Sequence, residues 1–160
     1  MNFRERLQRA TERGQRIRTD KLREQAARAL SEEECRRLHS KYRLELTEYI
    51  ETCLRQLADN IPGFQLETVV DESGWGAAVN RDDVGLRDGR RTNLFSRLQL
   101  VVSPFNGYHV LELAAKGTIR NKESFTRNHF QSLAEVDLEC FRELVELWVL
   151  DYAEMFAAAR

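Results

Sequence analysis

Cations and aromatic rings interleave over one part of this chain, where Arg97, Lys116, Arg120, Lys122 and Arg127 accompany Phe125, His129 and Phe130. An anion or single-strand groove needs that mixture: cations neutralise phosphates and ring faces stack on bases. The same residues also describe the polar outer face of a sheet with a small satellite apolar cluster. A sequence pI near 6.3 weighs against a dedicated nucleic-acid binder, for which a domain pI above about 9 is usual.

Trp75 lies between Gly74 and Gly76, and glycines in a strand let another backbone or a ring approach closely. Its indole either packs over a sheet or serves as a stacking platform. Residues 80–93, NRDDVGLRDGRRTN, read as a surface loop of turn residues and mixed charge, the kind of segment where binding residues concentrate. Asp82, Asp83 and Asp88 offer oxygens to a hard cation but lack the D-x-[DN]-x-[DN]-G spacing. Arg87, Arg90 and Arg91 are expected to pair with those carboxylates instead. The binding candidates are therefore Trp75, Arg90, Arg91, Arg97, Arg120, Lys122, Arg127 and His129.

Catalysis by a triad requires a nucleophile, a base and an orienting group brought together. Three histidines are available as bases: His39 on the charged flank of a helix, His109 on a strand, and His129 ahead of the last helix. None adjoins a G-x-S-x-G elbow, and HExxH, Walker-A and GxGxxG patterns are absent. The expectation is a protein with no catalytic residue, no cofactor and no metal. Cys35, Cys53 and Cys140 are odd in number and far apart, without a CxxC pair. They fit small apolar residues in a reducing compartment better than a disulfide frame or zinc site. The first residues, MNFRERLQRATERGQRIR, contain no apolar core of a secretion signal. No apolar run approaches the roughly 20 residues that span a bilayer. A cytoplasmic protein, away from the membrane, is expected.

The elements that must carry these residues follow from patterning. The charged fraction of 32% exceeds the ordinary quarter and suits long exposed helices. Residues 2–30 are helix formers, and Phe3, Leu7, Ala10, Gly14 and Ile17 fall at heptad spacing before the seam dissolves at Lys21 and Glu24. Ser31-Glu32-Glu33-Glu34 has the form of a capping box, implying a break or bend near 30–31. A second helix follows, with an apolar stripe of Cys35, Leu38, Tyr42, Leu46, Tyr49, Cys53 and Leu57, ending near Asn60 before Ile61-Pro62-Gly63.

Phe64–Glu72 alternates as a strand, and Trp75–Val79 reads as a short second one. Leu94–Ile119 reads as a hairpin meeting at Pro104-Phe105-Asn106-Gly107. Leu98, Leu100 and Val102 should share one face, with His109, Leu111, Leu113 and Ala115 toward the core on the second arm. Lys116–Lys122 either continues that strand or turns into an edge strand, and Ser124–Phe130 is left undefined. Ser132-Leu133-Ala134-Glu135 forms a second capping-box pattern. The helix it opens, to about Ala158, is apolar over more than half its circumference, which implies burial on two sides.

The expected fold is α+β: a long N-terminal helical arm (1–60), then a domain (61–160) with an antiparallel β-meander of three to five strands and a long C-terminal helix on the sheet. Charge is unevenly spread. Residues 1–30 carry nine basic against four acidic side chains, whereas 134–160 carry two against seven. The leading functional expectation is a non-enzymatic protein-interaction module, homodimeric through its helices and with a further protein partner of unknown identity. One alternative is nucleic-acid binding through the basic arm and the sheet patch. A second is a small-ligand pocket or enzyme around Trp75 and residues 80–93.

Overall fold

The computed structural model describes residues 2–159, save the side chains of residues 27–30. Its elements, in order, are α1 (Phe3–Asn60), β1 (Gln65–Asp71), β2 (Gly74–Arg87), β3 (Arg90–Val102), β4 (Val110–Ile119), β5 (Lys122–Ser132), a 3-10 turn (Leu133–Glu135) and α2 (Leu138–Ala158). Each strand pairs antiparallel with the next, in the spatial order β1-β2-β3-β4-β5. This is the α+β meander, with all five strands present. By internal contacts the chain falls into two units, Met1–Arg37 and Leu38–Arg160. The first is α1 alone, and every described side chain from Asn2 to Ala26 is exposed.

The second unit has two layers. Register pairs Ala77 with Leu100, Val79 with Leu98, Leu100 with Ala115 and Val102 with Leu113, and residues directly opposite share a face. That face is covered by helices. Leu46, Ile50, Leu54 and Leu57 of α1, and Phe141, Val145, Trp148, Tyr152 and Phe156 of α2, are buried together with Leu98, Leu100, Leu111 and Leu113. Full burial of each such side chain is worth about 1.5–3 kcal/mol. Period-2 alternation in the strands and the 3-4 spacing in the helices select these residues, so the core faces of β3 and β4 are those that the patterning implies. His109 alone leaves that set. It precedes β4, half-buried and with φ +54°.

At the middle of the helical layer, Tyr152 donates its hydroxyl to the Thr118 carbonyl at 2.8 Å. The Tyr152 ring meets Phe64, Phe125 and Phe156 at centroid distances of 6.2, 6.2 and 6.4 Å. The opposite sheet face carries a small buried apolar cluster, Val69, Ala78 and Val101 with Ala114 beside it. Above it Arg97 reaches Glu67, Asn80 (2.6 Å) and Gln99 (2.9 Å).

Several local expectations change. Residues 80–93 are not a loop: they form the ends of β2 and β3, joined by a two-residue turn at Asp88-Gly89. Both turn residues have positive φ, +54° and +74°, the combination that a tight hairpin with the native strand twist requires. Arg120-Asn121 repeats it, with φ +50° and +69°, so Ser124–Phe130 becomes part of edge strand β5. By contrast, β3 and β4 are joined by residues 103–109, where the Asn106 side chain accepts from the Tyr108 amide at 2.9 Å. Pro104 supplies no amide to a ladder, which is reason enough for pairing to stop before it.

The second capping-box pattern does not open the last helix. Ser132 makes no side-chain cap; Asp137 caps α2, accepting from the amides of Glu139 (3.1 Å) and Cys140 (3.4 Å). Ser31 lies inside α1, whose backbone is helical through the expected break at 30–31. Trp75 behaves as its neighbours suggested. A Cβ on Gly74 or Gly76 would lie 2.1 or 2.0 Å from the carbonyl oxygens of Val102 or Leu100, so β3 approaches β2 closely only because both positions are glycine.

Candidate interaction surface

Two amphipathic helices lying side by side on one sheet leave a groove where their outer flanks diverge. Here that groove measures about 670 Å³ and is lined by Tyr49, Cys53 and Gln56 of α1 and by Glu146, Leu150 and Ala153 of α2, among others. Tyr49 donates to the Glu146 carboxylate across the groove. That bond, first, and burial, second, push the Tyr49 hydroxyl well above its ordinary pKa. Burial likewise raises the half-buried Cys53 thiol, which disfavours its thiolate form. Leu147 and Leu150, on the outward side of α2, are 50% and 66% exposed. Glu143, Glu146 and Glu154 flank them, all exposed. The surface is thus apolar along its centre and acidic at its edges.

The candidates drawn from the sequence lie elsewhere, and register separates them. Trp75 sits on the helix-covered face, half-buried, with the Arg43 guanidinium 4.2 Å from its ring centroid. Arg90 and Arg91 open β3 at the hairpin tip, opposite Arg87 and Leu86. From Trp75 to Asp88 is 13 residues of β2 and its turn, about 43 Å of strand, so Trp75 and the hairpin tip share no pocket. Arg97 belongs to the open face. Arg127 and His129 belong to the helix-covered face: Arg127 pairs with Asp151 at 2.6 Å and lies 4.6 Å from the Phe125 ring, and His129 packs edge-on against Phe141 at 5.2 Å. Arg120 lies in the β4–β5 turn and Lys122 directly follows it. The interleaved cations and rings therefore divide between two faces and one turn.

The acidic residues of the hairpin divide too. Asp83 accepts from Arg81 through both oxygens at 3.0 Å, while Asp82 accepts from Asn93 at 3.3 Å. Arg81, not Arg87, Arg90 or Arg91, is the partner. No group of three His, Cys, Asp or Glu side chains placed to hold a metal ion occurs among the described residues. Nor is any described helix long and apolar enough to cross a membrane. His39 is not on a charged flank: it is 2% exposed, donating from Nε2 to the Ser103 carbonyl at 3.1 Å.

Compared with protein-family models, with curated proteins and with solved structures, the chain matches none. Tyr49, Glu146 and Leu150 were not among the sequence candidates. The signal for them existed in the apolar excess of the last helix, but choosing which of its leucines stays uncovered requires knowing where α1 lies.

Proposed function

We propose that this protein is a non-enzymatic interaction module that works as a homodimer, with the α1/α2 helical layer as its contact surface. The observation that carries the reading is the uncovered pair Leu147 and Leu150 beside an open groove. An apolar, shaped surface rimmed by polar groups is the usual form of a protein-binding site. A second copy is the partner that every cell making this protein supplies, and two-fold pairing is the commonest assembly of soluble chains. The separation of Arg97 from Arg127 and His129 leaves the sheet half of a nucleic-acid surface without a continuous track. Light scattering after size exclusion is the test. The expected mass at micromolar concentration is twice the 18.7 kDa of the chain; a single chain's mass there removes the proposal.

A further inference from the structure

Two surfaces of this molecule are apolar, uncovered and opposite in charge. The first is the face of α1 in the Met1–Arg37 unit. Phe3, Leu7 and Ile17 are 72%, 55% and 60% exposed, and residues 3–23 carry eight basic against three acidic side chains. The second is the α1/α2 groove with Leu147 and Leu150, beside a helix α2 that carries five acidic residues against one basic. Each has the property the other needs.

We infer that the contact between copies is reciprocal, the basic N-terminal segment of one chain lying in the acidic-rimmed α1/α2 groove of its partner. The inference rests on the homodimer reading and names the surfaces that make it. Three observations support it. Lengths match to within about one helical turn: Phe3 to Ile17 spans about 21 Å of helix, and the groove from Tyr49 to Asn60 about 16 Å. Chemistry agrees: an amphipathic helix presents anchors at 3-4 spacing, and a groove between two helices receives them. Charge agrees: Arg6, Arg13 and Arg18, all exposed, flank the anchors of the arm as Glu143, Glu146 and Glu154 flank the groove. Opposite rims of this kind fix orientation and suppress wrong pairings. The alternative pairing, arm against arm, brings two strongly basic segments together on a seam of little more than two heptads, which is short for a stable coiled coil.

Two full-length variants test the inference by complementation. Leu7→Asp with Ile17→Asp removes the anchors of the arm and leaves the groove. Leu150→Arg blocks the groove and leaves the arm. All three positions are exposed, so each variant should keep the helix and strand signature of the wild type by circular dichroism and unfold cooperatively, its melting temperature lower only by what dimerisation itself supplies. Light scattering should give twice 18.7 kDa for the wild type and the single-chain mass for each variant alone. An equal mixture of the two, well above the wild-type midpoint, should recover the doubled mass through one intact arm–groove contact. Rising salt should lower that recovery, because the rims are solvent-exposed and screened.

A wild type that stays single-chain overturns both the homodimer reading and this inference. A wild-type dimer that survives Leu150→Arg overturns the inference alone, and leaves another helical surface as the interface. A mixture that stays single-chain while the wild type is dimeric also overturns it, and points to arms pairing with each other.

Discussion

His39 is a buried imidazole with a single backbone partner, Ser103, and an edge-on ring contact to Phe105 at 5.6 Å. Burial is the main cause that holds its pKa below the ordinary 6.5, with the Arg43 charge adding to it and the Ser103 bond opposing. The unfolded chain therefore accepts a proton that the folded chain resists. Stability owed to neutral His39 is complete above pH 6.5 and is lost as pH falls below it toward the folded pKa. Melting temperature followed from pH 7 down to about pH 5 should fall more steeply for the wild type than for His39→Gln, which does not titrate there. Parallel curves would show that protonation of this residue does not govern the acid limb. Asn121 shows a different use of one residue. Its side chain accepts from the Phe95 amide and donates to the Asn93 carbonyl, both at 2.8 Å, doing for β3 what a further residue of β4 would do. Nothing in the sequence around Asn121 distinguishes that bridging side chain from an ordinary turn asparagine.

Elements were legible in proportion to how far their pattern is set by burial on one side. The core faces of β3 and β4, and the helix ending at Asn60, follow from period-2 and period-3.6 spacing that a single buried face enforces. The β2–β3 hairpin was missed because Asp82, Asp83, Arg87 and Arg91 mask the alternation where the ribbon is solvated on both sides. The Asp88-Gly89 pair was the usable signal. Substitutions at two glycines separate backbone conformation from close approach. Gly89 has open space around a Cβ but φ +74°, so Gly89→Ala should cost about 1–2 kcal/mol from the left-handed conformation alone. Gly76→Ala would drive a Cβ onto the Leu100 carbonyl and should cost more, since the β2–β3 ladder must part to admit it. Urea unfolding of both variants checks the order; equal losses would mean that β3 moves aside easily. The candidate site was less legible than the fold. Aromatic and basic residues close in sequence were split by strand alternation, and the groove is built from α1 and α2, whose residues 49–60 and 146–153 lie far apart along the chain.

At the scale of the whole molecule, every sheet pairing joins neighbours in sequence, but the helical layer does not. The strands close short loops, which favours fast pairing, whereas α1 and α2 flank the sheet in sequence and must both reach the same face of it. Refolding should therefore show strand formation before the Trp148 environment becomes native. Stopped-flow far-ultraviolet dichroism against fluorescence compares the two, with Trp148→Phe identifying which tryptophan reports. Coincident single phases would instead place helix docking in the same step.

That order of assembly has a consequence for synthesis. Ribosomes deliver α1 before the strands and α2 after them, so for the whole passage of the strands Leu98, Leu100, Leu111 and Leu113 are without half of their cover. A nascent chain whose strands have emerged while α2 is still inside the ribosome exposes a wide apolar sheet face. Such an intermediate is the natural client of a holding chaperone, and translation speed through and beyond α2 would set how long it needs one.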